Sequence, residues 1–231
     1  MSSCPERLSR SAALLGAAAV SRLQGACVCV VGVGGVGSWC AEALVRTGVG
    51  RLTIIDDDLV AGSNVNRQSP ATMASVGRLK VDAMAERLRE IAPEAEIEPL
   101  ARRYAGAGDL ALGRFDAVVD AIDSVACKAE LILAATAAGV PLFSSMGAAL
   151  RLDPARVRLT RFEKVEGDAL ARALRLRFRR LGRFPGRFEA AWSDEAPRPA
   201  MGVERGSVMT VTASFGLALA AAVMRRLCDG G

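Results

Sequence analysis

Asp56-Asp57-Asp58, Asn64-Val65-Asn66-Arg67-Gln68, Lys80 and Asp120-Ala121-Ile122-Asp123 are the stretches of this chain whose residue types can do chemistry. A guanidinium neutralises phosphate oxygens as a two-pronged fork and an ammonium does so as a point charge. Side-chain amides donate to phosphate oxygens. Carboxylates accept from ribose hydroxyls or help to hold a hard divalent cation. Together these groups suit chemistry on a phosphate-bearing ligand, where charge must be neutralised and the reacting atoms held in line. Histidine is absent from the chain. That excludes Ser-His-Asp and Cys-His catalysis and any histidine metal centre. The work is left to carboxylates, Lys, Arg, Cys, backbone dipoles and a bound cation.

The elements that must position these groups are legible. The apolar segment Ala26 to Val31 reads as a buried strand and runs into Gly32-x-Gly34-Gly35-x-Gly37. A helical stretch from Ser38 to Thr47 follows, and then a second strand, Leu52 to Ile55, that ends on Asp56. This strand, glycine turn, helix, strand and acid arrangement binds nucleotides. The glycines permit a tight turn and close backbone approach, and the helix N-terminus offers free N–H groups to phosphates. Asp56 is placed for a ribose. NAD, FAD and ATP all remain open on this motif alone.

Farther along, Leu14 to Leu23 reads as a short helix and Asp57 to Ser69 as a loop, with or without a helical turn. Ser75 to Ile91 has helical periodicity and stops before Pro93. Glu94 to Leu100 reads as a strand, and Phe115 to Ile122 as another with Asp123 at its carboxyl end. Val125 to Ala138 is helical and Val140 to Met146 is a strand. Alternation of this kind implies a Rossmann-like, mostly parallel α/β sheet with helices on both faces. Beyond Gly147, Leu150 to Leu152 and Val157 to Leu159 suggest an antiparallel hairpin turning at Asp153-Pro154 that extends the sheet. Gly167 to Leu181 reads as a basic helix capped by Gly182, and Gly182 to Arg205 as loop. The uncharged stretch from Gly206 to Met224 is long enough for a membrane span. Its Ser207, Thr210, Thr212 and Ser214 favour a buried helix instead. One domain over 1–231 is expected, with an arm at 1–25, a nucleotide-binding core at 26–147 and an extension at 148–231.

The chain has 231 residues and a formal net charge of +5. Of its 30 basic residues only Lys80, Lys128 and Lys164 are lysine, so each lysine invites a specific explanation. The 6 cysteines form no CxxC pair and no disulfide-framework spacing. With no signal peptide evident, that suits a reducing cytoplasm. Cys27 and Cys29 alternate on one strand and read as core packing, and so does Cys127, one helical turn after Asp123. Arg172, Arg175, Arg177, Arg179, Arg180, Arg183 and Arg187 line one basic segment. By composition it fits RNA phosphates, a solvated face or an anionic membrane surface.

The series from Asp56 to Gln68, followed by Gly77-Arg78-Leu79-Lys80 and Asp120 to Ser124, resembles the ubiquitin-activating-enzyme-like superfamily. Within it, six runs are similar to the dehydratases of threonylcarbamoyladenosine in tRNA: Val30 to Trp39, Glu42 to Gly48, Asn64 to Gln68, Met84 to Arg87, Asp120 to Ser124 and Met209 to Gly216. The resemblance implies ATP and Mg²⁺ as cofactors, an acyl adenylate formed on a substrate carboxylate, and a cyclised nucleoside as product. That carboxylate is its own nucleophile, so a histidine-free chain suffices. The resemblance further implies that Gly32, Gly34, Gly35, Gly37, Asp56, Asp58, Asn64, Arg67, Gln68 and Lys80 bind the nucleotide. Arg67, Lys80 and Asp123 would be catalytic, with Asp123 on the metal. Arg7 matches by register an arginine that reaches the ATP of a dimer partner, although a second arginine usual nearby is replaced by Ala13. A homodimer and a tRNA substrate are therefore expected, with a sulfur-relay or carrier protein as a further partner. Relatives that adenylate the C-terminus of a sulfur-carrier protein often carry zinc on paired CxxC motifs. Those motifs are absent here, as is a cysteine between Arg183 and Arg205. No zinc is expected, and carrier adenylation stands as the alternative function. An NAD-dependent oxidoreductase is disfavoured by the Asn-Arg-Gln and Lys80 pattern.

Overall fold

The structure is a computed structural model that describes residues 5–202 and 205–229. Cys4 lies outside the described residues. Seven strands form one sheet in the order β3-β2-β1-β4-β5-β7-β6. They are β1 (Cys27–Val31), β2 (Arg51–Ile55), β3 (Glu96–Leu100), β4 (Ala117–Asp120), β5 (Leu142–Ser145), β6 (Val157–Arg161) and β7 (Glu189–Ser193). All neighbours pair in parallel except β6 with β7. The helices are α1 (Ser9–Leu15), α2 (Ala17–Gly25), α3 (Gly37–Thr47), α4 (Lys80–Ile91), α5 (Val125–Ala137), α6 (Ala169–Leu181) and α7 (Met209–Cys228).

Alternation along the strands builds two cores. Val28 and Val30 of β1 face one layer with α3, α4 and α7, while Cys29 and Val31 face the other with α5 and α6. Both strand faces are covered, which is why these strands read as continuous apolar runs. The helix α7 has the length and hydropathy of a membrane span, but Val211, Phe215, Leu219 and Val223 are buried in the first core. Gly216 lets α7 lie directly on the start of α3, because a Cβ there would stand 2.4 Å from the Val36 carbonyl.

Several boundaries differ from the sequence reading. The N-terminal helix is two helices, broken at Gly16 with φ 83°. Helix α4 starts at Lys80 rather than Ser75, because Gly77 takes φ 90° and Leu79 pairs with Leu59 in an isolated bridge. The stretch Leu150 to Leu152 is not a strand; the N–H groups of Leu152 and Asp153 donate to the Glu195 carboxylate. Strand β6 pairs across α6 with β7, a strand inside the segment read as loop. Glu189-Ala-Ala-Trp-Ser has no β-branched residue and Trp192 as its one strand former, so its strand signal is weak and burial of Ala190 and Ala191 between layers decides it. Strand β4 ends at Asp120, leaving Asp123 in the turn before α5 rather than at the strand end.

A buried carboxylate ties the layers beside the glycine turn. Glu42 on α3 accepts from Ser69 Oγ at 2.5 Å, Arg87 Nε at 2.7 Å and Arg46 Nε at 2.9 Å. Burial pushes its carboxyl up, but the hydrogen bonds from Arg87, Ser69 and Arg46 outweigh that and hold it below the ordinary 4.5. A lowered carboxylate pKa contributes stability above the unfolded-state value and loses it as the pH falls through the folded value. Glu42→Gln should therefore cost about 1–3 kcal/mol at neutral pH. In urea unfolding across pH, its deficit against the wild type should shrink once the pH falls below 4.5. A pH-independent deficit would contradict this account.

Candidate active site

A cleft of about 990 Å³ opens at the carboxyl ends of the strands, where the connections from β1 and β4 diverge to opposite faces. Open α/β sheets bind ligands at such a switch point. Its lining includes Gly32, Gly34, Gly35, Asp56, Asp58, Asn64, Arg67, Gln68, Lys80 and Asp123. Stretches far apart in sequence thus meet in one place. Gly37 sits just behind, as the first residue of α3.

The glycine turn is sterically fixed. Gly32 has φ 90°, and a Cβ there would stand 2.7 Å from the Ala121 carbonyl oxygen. A Cβ on Gly37 would stand 1.8 Å from the Gly32 carbonyl oxygen. Ser38 closes the turn, donating from Oγ to the Gly34 carbonyl at 2.6 Å. Among the described residues the backbone N–H groups of Gly34 and Gly35 have no hydrogen-bond acceptor, and they stand at the helix N-terminus. Free N–H groups in that position receive anions.

Asp56 accepts from the Val33 N–H at 2.8 Å and from the Asp58 N–H at 2.9 Å. Burial raises its pKa, against the pull of Lys80 and of these two bonds. Lys80, 8% exposed at its side chain, donates from Nζ to Asp58 Oδ2 at 2.6 Å. It therefore does not ride on a solvated helix face. Asn64 Oδ1 accepts from the Ala61 N–H at 3.1 Å, which closes the turn ahead of Arg67. Arg67 donates from Nη1 to Ser63 O at 2.8 Å and to Asn66 Oδ1 at 2.9 Å. Its Cγ passes within 3.3 Å of where a Gly35 Cβ would stand. Gln68 is buried, and its Oε1 has no partner among the described residues.

Asp123 is exposed in the cleft and, among the described residues, makes no hydrogen bond or ion pair. The other acids of the cleft are engaged: Asp57 with Arg103 at 3.2 Å, Asp58 with Lys80, and Asp168 with Arg151 at 3.4 Å. Oxygens of Asp56, Asp57 and Asp58 lie within 4.8 Å of one another, but each of these acids already has partners. Cys127 lines the cleft instead of being wholly absorbed in the core.

Arg7 is not brought to this cleft. It donates to Glu94 Oε1 at 2.7 Å and to the Val45 carbonyl at 3.0 Å. With Gly25, Arg51 and Glu96 it lines a smaller hollow of about 360 Å³ at the amino ends of the strands.

Several residues that hold the site carry no signal of that role in the sequence. The Trp39 indole donates to the Arg67 carbonyl at 2.9 Å and fixes the Asn-Arg-Gln loop to α3. Arg151 donates to the Gly147 carbonyl at 2.6 Å and, with Asp168 capping α6, builds the far wall. Nothing in their spacing marks these contacts: Trp39 reaches a backbone carbonyl 28 positions away, and Arg151 reaches a side chain 17 positions away.

Comparison with known proteins fits this geometry. The sequence matches the ThiF family over residues 8–230, and the chain belongs to that family. It is 38% identical over 196 residues to the tRNA threonylcarbamoyladenosine dehydratase of Bacillus subtilis (strain 168), covering 83% of this chain and 76% of that protein. The crystal structure of the E. coli tRNA N6-threonylcarbamoyladenosine dehydratase in complex with AMP superposes with a TM-score of 0.90 at 35% identity, covering 97% of this chain and 95% of that one. The same E. coli enzyme in complex with ATP gives a TM-score of 0.87 at 34% identity, covering 97% and 94%.

Gly32→Ala tests the turn. Strain at positive φ plus the clash with Ala121 should destabilise the protein by about 1–3 kcal/mol or more. Thermal unfolding should show this, and calorimetry should show weakened ATP binding. Wild-type values in both would mean that the turn tolerates a side chain and that the close approach is unimportant.

Proposed function

We propose that the chain is an ATP-dependent dehydratase that cyclises threonylcarbamoyladenosine in tRNA through an acyl adenylate. The observation that carries this reading is the convergence of the glycine turn, Asp56, Lys80, Arg67 and Asp123 on one cleft of a ThiF-family fold. The free N–H groups of Gly34 and Gly35 and the N-terminus of α3 receive phosphate oxygens. Asp56, already oriented by two N–H groups, takes the ribose hydroxyls. Lys80 and Arg67 place positive charge on the phosphates, with Asp58 holding Lys80 in the cleft until they arrive. The Asn64 turn and Gln68 complete the lining.

Among the described residues Asp123 is the cleft carboxylate without a partner, and a lone carboxylate fits Mg²⁺, which keeps most of its ligands as water and phosphate oxygens. Bound there, the ion would neutralise charge on the phosphates. The substrate carboxylate attacks the α-phosphorus and pyrophosphate leaves. The carbamoyl group then attacks the activated acyl carbon and AMP leaves, closing the ring with loss of one water overall. Ring closure draws on proximity within the substrate. The side chains need only hold charge and geometry, so no histidine base is required.

Pyrophosphate exchange into ATP tests this directly. It should depend on tRNA bearing threonylcarbamoyladenosine, and Lys80→Ala and Arg67→Ala should each slow it about 10²–10³-fold while folding normally. Near-normal exchange in both variants would remove them from the phosphate clamp. Exchange that needs a carrier-protein C-terminus instead of tRNA would move the chain to carrier adenylation.

A homodimer in which Arg7 serves the partner's cleft accounts for its position far from its own. Mixing Arg7→Ala with Asp123→Ala subunits should restore part of the activity lost in each. No restoration, or a monomer at micromolar concentration, would end that assignment.

Helix α6 supports RNA as the substrate class. Its Asp168 cap, Ala169, Leu170 and Ala173 line the cleft, and Arg172, Arg179 and Arg180 on the same helix are exposed and unpaired among the described residues. By contrast, Arg175 is spent on the Phe162 and Val165 carbonyls, and Arg183 on Glu130. Replacing Arg172, Arg179 and Arg180 with alanine should reduce the salt dependence of tRNA binding by a slope of about 2–3. ATP affinity should be unchanged. An unaltered slope would assign these arginines to solvent.

A further inference from the structure

Lys128 is fully buried on α5, and its Nζ lies 2.9 Å from Oδ2 of the equally buried Asp120, the last residue of β4. Ser144 on β5 donates to the same oxygen at 2.7 Å. The pair encloses one residue. Asp120 Oδ1 accepts from the Ile122 N–H at 3.1 Å, and Lys128 Nζ donates to the Ile122 carbonyl at 2.9 Å. Both backbone groups of Ile122 are thus held by the two halves of a single ion pair.

Stability alone explains such a pair poorly. Desolvating two charges offsets much of their attraction, and well-packed apolar residues often serve as well or better. What distinguishes this pair is what flanks Ile122. On one side Ala121 abuts Gly32 and Gly37 of the phosphate turn. On the other, the Ile122 carbonyl belongs to the peptide that carries Asp123. That peptide lies beyond the end of β4 and before α5, so no ladder hydrogen bond fixes it.

We propose that Lys128 is a positioning residue. Through the Ile122 carbonyl it fixes the peptide bearing Asp123, and so sets how strongly Asp123 holds the divalent cation that accompanies ATP. The inference rests on the assignment of Asp123 to that cation. Groups that orient a metal ligand from behind typically govern affinity about 10–100-fold.

Lys128→Met alone strands the Asp120 charge and can unfold the protein. The double variant Asp120→Asn/Lys128→Met removes both charges, keeps an acceptor for the Ile122 N–H, reverses the Ser144 bond so that the Asn amide donates to Oγ, and deletes the donor to the Ile122 carbonyl. Asp123→Asn serves as the reference. The measurement is Mn²⁺ binding to the enzyme with a non-hydrolysable ATP analogue, read as loss of the free-ion electron paramagnetic resonance signal, alongside thermal unfolding. The double variant should unfold cooperatively, bind the metal-free analogue like the wild type, and hold Mn²⁺ about tenfold or more weakly, as Asp123→Asn does. A folded double variant with wild-type Mn²⁺ affinity, beside a weakened Asp123→Asn, would overturn the role of Lys128 and leave Asp123 assigned. Unchanged affinity in Asp123→Asn would instead overturn the assignment beneath it. In the unaltered protein the Ile122 amide should exchange with solvent as slowly as those of Val118 and Val119. Exchange at loop rates would overturn the clamp without recourse to any variant.

Discussion

The backbone contact between the Gly32 turn and the Ala121-Ile122 segment is the constraint on which the site depends. Strands β1 and β4 are neighbours with parallel register, so the chain leaves both at the same end of the sheet. The two connections then diverge to opposite faces and open the cleft. They can pass this close only because Gly32 and Gly37 lack side chains. Closing that approach by one methyl would push apart the two halves of the site: the phosphate turn, and the Asp123 turn.

Positive charge in this chain is mostly engaged. Arg87 and Arg46 neutralise Glu42, Arg151 braces Asp168, and Lys128 is locked to Asp120. The Arg151–Asp168 pair lines the cleft, and the Lys128–Asp120 pair lies beneath its Asp123 turn. The net charge of +5 is therefore a poor guide to where an anion goes. What counts is which cations face the cleft: Lys80, Arg67, Arg102, Arg103 and Arg205 line it beside the Arg151–Asp168 pair, with the exposed arginines of α6 on a helix that itself borders it.

What the sequence made legible is what short-range spacing encodes. The glycine turn, the acid after β2, and the Asn64 to Gln68 loop each sit within one supersecondary unit, so their shared cleft could be anticipated. The parallel sheet followed from strand and helix alternation for the same reason. Strand β7 was not legible, since its alanines form a strand only because the layers around it demand one. The partner of β6 was misread because Asp153-Pro154 looks like a hairpin turn, whereas Asp153 caps a short 3₁₀ turn instead. The link between Lys128 and Asp120 was beyond reach for another reason: the scarcity of lysine flagged the residue, but only the fold shows which peptide it holds.

The central claim is that a carboxylate on tRNA is activated by ATP in this cleft and then displaced from within the same nucleoside. Mass spectrometry of digested tRNA, after incubation of threonylcarbamoyladenosine-bearing tRNA with the protein, ATP and Mg²⁺, tests it most directly. The account predicts a nucleoside lighter by one water, formed with AMP and pyrophosphate in equal amounts, and no change when ATP is withheld. An unchanged nucleoside mass in the presence of ATP would contradict it.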